Sequence, residues 1–352
     1  MLFENKVIVI TGGTGSLGKV LTRRLLLNEY GCPKKIIIFS RDEAKQHFMR
    51  IEYEKSKKAT DEVIYRNFER LLEFRIGDIR NYHSVCSVLK GADIVINAAA
   101  LKQVPSCEYF TYEAVLTNII GAQNIVSAIS ENNLEIETVI GVSTDKACKP
   151  VNVMGMCKAL QERVFIAANI TIPGTRFICV RYGNVLASRG SVIPLFHEQI
   201  LHGGPVTITT KEMTRFLLPL EQAVDTIFTA IKTANPGEIY VPKVPAARIV
   251  DVAKGLINNR EIEIVYTGIR PGEKVHEILV SDEEAWRTLV YGEYYIITSM
   301  LPELAKKESG LQALNKEYSS ENSLMTFEET VHLLEKHHLM IGQEIKEEEF
   351  LS

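Results

Sequence analysis

The sequence predicts an α/β protein with a doubly wound parallel sheet and a smaller α/β domain for substrate. Three observations carry this. Short β-branched runs alternate with helical patterns. The runs are apolar nearly throughout, as strands covered on both faces must be. A single glycine-rich turn follows the first run, which fits one dinucleotide-type, Rossmann-like core.

In chain order the predicted strands are KVIVIT (6–11), KIIIFS (35–40), EFRIGD (73–78), DIVINAA (93–99), TVIGVS (138–143) and RFICVR (176–181). Helical stretches separate them, and the one over 42–72 is longer than such a connection needs. Beyond Arg181 the texture changes: 183–216 reads as loop, with Gly183, Gly190, Gly203 and Gly204 inside it. LEQAVDTIFTAIKTA (220–234) predicts a helix returning to the core. The polar stretch 301–325 predicts a linker or mobile arm. Thr326 and Glu329 form a capping-box pattern ahead of a helix whose Phe327, Val331 and Leu334 share a face. The acidic end KEEEFLS predicts disorder. The expected domains are a dinucleotide-binding unit (1–182 with 217–235), a nucleotide-sugar-binding unit (183–216 with 236–300) and a C-terminal arm (301–352).

Composition narrows the function. A chain of 352 residues, 46% hydrophobic, is long enough for a large core. A formal charge of -4 argues against a nucleic-acid binder. No apolar run approaches the ~20 residues that span a bilayer, and the N-terminus enters a strand without a leader pattern, so the expectation is a cytoplasmic protein. The six cysteines form no CxxC pair and the eight histidines no ligand-spaced set, so neither disulfide nor metal is expected.

TGGTGSLG (11–18) places Gly12, Gly15 and Gly18 three apart between the first strand and a helix. Gly12 permits the turn, Gly15 lets backbone approach a pyrophosphate, and Gly18 admits close helix packing. Thr14, Ser16 and Leu17 belong to the same loop, whose helix N-terminus favours phosphate. The second strand ends in Ser40-Arg41 rather than an acid. Serine leaves room and arginine offers a planar cation to a 2′-phosphate, so NADP is expected over NAD. Asp42 reads as a helix N-cap. Lys45, Asp78 and Ile79 join the expected cofactor contacts, Asp78 as an acceptor for the adenine amino group. Ala98 and Ala99 give small residues where the dinucleotide lies flat.

AAALKQVPSCE (98–108), TNIIGAQN (117–124), STDKACKPVN (143–152), RYGNVLASRGSVIP (181–194), MTRF (213–216) and GIRPGEKVHE (268–277) together resemble the extended short-chain dehydrogenase/reductase family. Within it the order of motifs is similar to the UDP-N-acetylglucosamine 4,6-dehydratases, in the inverting, capsule-type branch that carries methionine in place of the catalytic tyrosine. The resemblance spans about residues 4–300. It implies a tightly bound NADP recycled each turnover, UDP-N-acetylglucosamine as substrate, and a homo-oligomer, a hexamer in the nearest branch. A sticky apolar face on the C-terminal helix would serve that assembly.

Dehydration needs an acid–base pair beyond that of a simple oxidoreductase, and adjacent Asp145 and Lys146 supply one. The resemblance implies Asp145 as acid toward the 6-hydroxyl and Lys146 as base at C5. A lysine base must be neutral, so its pKa is expected to be lowered, by Lys158 and the nicotinamide. Lys158 matches the lysine on the nicotinamide ribose. Met154, one turn earlier, cannot move a proton. Either the chain is an inactive relative, or Thr144 by relay, Lys146, Lys158 or a water accepts the 4-hydroxyl proton. On the substrate side the resemblance implies Lys102, Asn184, Ser188, Val192 and Thr209, with Arg215 and Arg270 on the diphosphate and Glu273 on the nucleotide ribose. Alternatives to dehydration are 4-epimerisation of the same substrate and a non-catalytic dinucleotide-binding protein.

Overall fold

The structure is a computed structural model describing residues 1–55, 62–186, 191–304 and 314–343. Six parallel strands form its centre: β1 (Val7–Thr11), β2 (Lys35–Ser40), β3 (Leu72–Ile76), β4 (Ile94–Asn97), β5 (Thr138–Thr144) and β6 (Arg176–Tyr182). Their order is β3-β2-β1-β4-β5-β6. β1 therefore pairs with β2 on one side and β4 on the other, and the direction of winding reverses between β1 and β4. In such sheets ligands bind at that reversal, beyond the carboxyl ends of the strands. Ile8, Val9 and Ile10, like Ile36 and Ile38, are fully or almost fully buried, which is why these strands read as unbroken apolar runs.

The connecting helices are α1 (Ser16–Leu26), α2 (Glu43–Lys55), α3 (Glu62–Leu71), α4 (Tyr82–Leu89), α5 (Val104–Tyr109), α6 (Thr111–Val115), α7 (Gly121–Glu131) and α8 (Val153–Thr171). The long 42–72 stretch is thus two helices, α2 and α3. A π-helical turn, Leu116–Ile120, joins α6 to α7.

After β6 the expected loop over 183–216 is in fact structured. It contains β7 (Asn184–Val185), α9 (Val192–Leu201) and β8 (Val206–Ile208), with β9 (Thr214–Leu218) at its end. Pro194 lies in the first turn of α9, where no intrahelical donor is lost. Helix α10 (Leu220–Thr233) returns to the core as expected. β10 (Ile239–Pro242) runs parallel to β6, and after β11 (Ala246–Arg248), α11 (Ile249–Ile257), β12 (Ile264–Tyr266), β13 (Ile278–Val280) and α12 (Asp282–Ala285), the antiparallel β14 (Thr288–Tyr291) and β15 (Tyr294–Ile297) complete a nine-stranded sheet among the described residues. Residues 236–300 therefore feed the main sheet as well as a second apolar core, built by α9, α11, Phe196, Val206, Leu217 and Leu256.

The 301–325 stretch is not simply a linker. Tyr318 and Ser319 form β16, antiparallel to β13, and Tyr318, Ser319 and Ser320 are buried. The capping box at Thr326 and Glu329 is present at the start of α13 (Phe327–Lys336). That helix lies on α11: the approach is close enough that a Cβ at Gly255 would come within 3.2 Å of Val331 and 3.3 Å of Leu334. Leu334 is fully buried while Phe327 is exposed, so the expected apolar face is only partly used, and it is used within the chain. The tail KEEEFLS lies outside the described residues.

Candidate active site

The glycine turn sits at the β1/β4 reversal. Gly12 has φ of +67°, and a Cβ there would stand 2.8 Å from the Ala99 backbone, so the turn needs glycine. Thr11 Oγ1 donates to Asn97 Oδ1 at 2.7 Å and accepts from Ala99 N at 3.2 Å, tying the ends of β1 and β4 together. Gly15 is the exposed N-cap of α1, with no acidic side chain in the first turn behind it to compete for anions.

A cleft runs from this turn across the end of β2, lined by Gly12, Thr14, Ser40, Arg41, Lys45, Asp78, Ile79 and Ala99. Eight residues expected at the cofactor meet there, while Gly15, Ser16, Leu17, Gly18, Ala98 and Lys158 are not in its lining. Asp42 caps α2, its Oδ1 accepting from Lys45 N at 3.0 Å, so that carboxylate is turned to the helix. Ser40 is buried, its hydroxyl held by Gln46 Nε2 at 3.0 Å. Asp78 is clasped by Arg80, whose Nη2 lies 2.6 Å from Oδ2. Burial pushes its carboxyl up, but Arg80, with Arg41 nearby, wins and holds it below the usual range. Thr117, on the π-helical turn, also lines the cleft, and its buried Oγ1 has no hydrogen-bond partner. An unmet donor-acceptor, a glycine turn and a basic rim fit a dinucleotide. Thr117 opens the TNIIGAQN stretch, and nothing in its local sequence marks it for this place.

The end of β5 gathers ionisable side chains. Thr144 caps a 3₁₀ turn, Asp145–Ala147. Asp145 is fully buried: its Oδ1 accepts from Thr144 Oγ1 at 2.7 Å and Lys146 Nζ at 3.0 Å, while Oδ2 is buried without a partner. Lys146 Nζ also lies 3.4 Å from Glu277 Oε1. The expectation that the Lys146 proton is loosened is overturned. Burial acts to lower its pKa, but the Asp145 and Glu277 carboxylates outweigh burial and the opposing Arg215, and raise it. Glu277, 2% exposed, is the main residue that sequence reasoning missed. The signal was a lone acid opening the apolar run EILV.

Helix α8 abuts this turn so closely that a Cβ on Gly155 would fall 2.2 Å from the Lys146 carbonyl oxygen. Asn152 starts the helix, its Oδ1 accepting from Gly155 N and its Nδ2 donating to Gly272 O, both at 2.8 Å. The 268–274 turn is thereby clamped over the start of α8. Met154 is buried in a small apolar cluster with Cys107, Ala114 and Cys157. Lys158 is 5% exposed and donates to Gln161 Oε1 at 2.7 Å. Burial, only partly offset by Cys179 and Glu162, lowers its pKa to about 8. The loosened lysine is therefore Lys158.

The residues expected on the substrate side are spread over several elements. Thr209 Oγ1 and Glu273 Oε2 stand 3.5 Å apart, beside exposed Arg270, whose carbonyl accepts from Glu273 N. Arg215 is buried beside Glu277 instead, with Nη1 donating to Thr214 O and Val275 O and Nε 3.6 Å from Glu277. Asn184, on β7, has a buried, unpartnered Oδ1, and Val192 opens α9. Lys102 is exposed in the loop between β4 and α5. Ser188 lies outside the described residues.

This strand order, with a glycine turn at the reversal, defines a doubly wound, dinucleotide-binding type of fold. The family described as "Polysaccharide biosynthesis protein" matches residues 8–299, and the chain belongs to it. Among its relatives, a UDP-glucose 4-epimerase of Rickettsia typhi is 44% identical over 332 residues, covering 92% of this chain and 93% of that protein. A UDP-glucose 4-epimerase of Rickettsia prowazekii is 46% identical over 301 residues, 84% of each chain. The X-ray structure of Pen from Bacillus thuringiensis superposes with a TM-score of 0.85 at 34% identity, over 97% of this chain and 100% of that one. DesIV, a dTDP-glucose 4,6-dehydratase from Streptomyces venezuelae, shares the fold, with a TM-score of 0.64 at 20% identity over 76% of this chain and 86% of that one.

Proposed function

We propose that the protein is a cytoplasmic, NADP-dependent 4,6-dehydratase of UDP-N-acetylglucosamine that also inverts C5, supplying a 4-keto-6-deoxy sugar nucleotide for polysaccharide synthesis. The observation that carries this reading is the Asp145–Lys146 pair after β5, with a fully buried carboxylate 3.0 Å from a half-buried ammonium. Oxidation and reduction at C4 alone need no second acid–base pair; loss of water across C5 and C6 does.

Arg41, Lys45 and the glycine turn would hold the dinucleotide, with Arg41 on the 2′-phosphate and α1 behind the pyrophosphate. The bound nicotinamide would supply the redox chemistry at C4 and C6. Lys158 accepts the 4-hydroxyl proton, which is the task its depressed pKa suits. Lys146 takes the C5 proton once the 4-ketone has acidified it, and Asp145 protonates the departing 6-hydroxyl. Met154 moves no proton and keeps the adjoining helices packed. Arg270 and Glu273 would bind the diphosphate and ribose from the clamped turn.

A second reading, 4-epimerisation, is favoured by the names of the relatives at 44% and 46% identity. Incubation with UDP-N-acetylglucosamine separates the two. The expected product is a 4-keto-6-deoxy sugar that absorbs in alkali; a 4-epimer as the sole product would overturn the dehydratase reading.

A further inference from the structure

Two carboxylates, from opposite parts of the chain, meet one ammonium. Asp145 Oδ1 lies 3.0 Å and Glu277 Oε1 3.4 Å from Lys146 Nζ. Asp145 Oδ2 and Glu277 Oε2 are both buried and without partners, an arrangement that leaves a demand for protons on each side of the lysine. The charged groups facing Lys146 are Asp145 on its own turn, Glu277 ahead of β13, and Arg215 on β9, whose Nε is 3.6 Å from Glu277. Two cations thus balance two anions. Glu277 is fixed from behind: its N–H donates to Ser320 Oγ at 2.9 Å, and Ser320 N donates to Glu277 O at 2.8 Å. Such a fixed acid is built to act on Lys146.

We infer that Glu277 is a positioning residue that holds Lys146 from the side away from Asp145, so that the amine meets C5 when it acts as base. The inference rests on the dehydratase reading. In the step it serves, the Lys146 ammonium first gives a proton to the Asp145 carboxylate, which leaves a neutral amine beside a carboxylic acid. The amine takes the C5 proton, and the C–H electrons pass into the enolate of the 4-ketone. The C6–O bond then breaks as Asp145 gives its proton to the leaving hydroxyl, so water departs. Lys146 is again an ammonium and Asp145 again a carboxylate, while Glu277 stays a carboxylate throughout.

The test isolates this step from C4 oxidation and from Lys158. Wild type and variants are incubated in deuterated water with the UDP-4-keto-6-deoxy product, and exchange at C5 is followed by NMR. In Glu277→Gln, exchange should fall about 10²-fold near neutral pH, the cost of a misplaced reacting group. Its pH dependence should also move to lower pH than in wild type, because Lys146 has lost one of the two carboxylates that hold its proton. Binding of UDP should be unchanged. Glu277→Asp, with the carboxylate one methylene further away, should fall between in rate and regain the wild-type pH profile. Wild-type exchange in Glu277→Gln, or a loss of exchange accompanied by loss of UDP binding, would overturn the proposal. If Glu277→Gln does not fold, Glu277→Asp decides, and a wild-type rate in it overturns the proposal. A wild-type protein that makes no 4-keto product from UDP-N-acetylglucosamine refutes the dehydratase reading itself, a result independent of any Glu277 variant.

Discussion

Lys158 and Met154 stand one turn apart on α8 and show what a single buried side chain does. A lysine whose folded pKa is about 8, against 10.5 for the ordinary group, binds fewer protons than the unfolded chain between those values. Stability therefore rises with pH across that window, and below pH 8 the buried ammonium costs roughly 3 kcal/mol. Lys158→Met should raise stability in urea unfolding at pH 7 by up to that amount, with the gain fading by about pH 10, while turnover is lost. Met154→Ala should do the reverse: turnover is largely kept and stability falls by about 2–5 kcal/mol, the cost of a core cavity. Arg41→Ala should weaken NADP more than NAD, by roughly 1.5–3 kcal/mol for a charge-assisted contact, as read by calorimetry. Much of this was legible in sequence, because glycine spacing, Ser40-Arg41 and Asp145-Lys146 are local patterns. Glu277 and the reversed proton affinities of Lys146 and Lys158 were not, because they depend on which distant charges fold against each lysine.

At the scale of elements, the catalytic turn depends on how closely α8 approaches it. Gly155→Ala would drive a methyl into the Lys146 carbonyl. A shift of about 1 Å at a reacting group can cost 10²-fold, so kcat should fall by about that factor while UDP binding persists. The capping box of α13 is simpler: Thr326→Ala should cost about 1 kcal/mol in chemical denaturation. The parallel strands could be read directly because burial on both faces leaves unbroken apolar runs. Helix α9 could not, because Pro194 and the flanking glycines imitate a loop.

Over the whole molecule, the apolar face expected on α13 for assembly is partly used on α11, where Val331 and Leu334 pack beside Gly255. Exposed apolar surface lies instead on α5, α6 and α8, where Tyr109, Tyr112 and Leu160 are 86%, 70% and 52% exposed. A homo-oligomer is expected through those helices. Light scattering at micromolar concentration should give a multiple of the 39.6 kDa chain, and Tyr112→Asp with Leu160→Glu should reduce it toward one. A mass of one chain for the unaltered protein would refute the expectation.

The bond between Ser320 and Glu277 has a consequence for the order in which the protein is made. Chains leave the ribosome N-terminus first, at about 5–20 residues per second. The nucleotide-binding half can fold seconds before β16 exists to seat the acid beside Lys146. Until the final stretch clears the exit tunnel, a nascent chain can hold its dinucleotide but lacks a fixed Glu277. On the dehydratase reading, an interrupted translation product would then be an inert binder rather than an enzyme that releases a half-processed sugar.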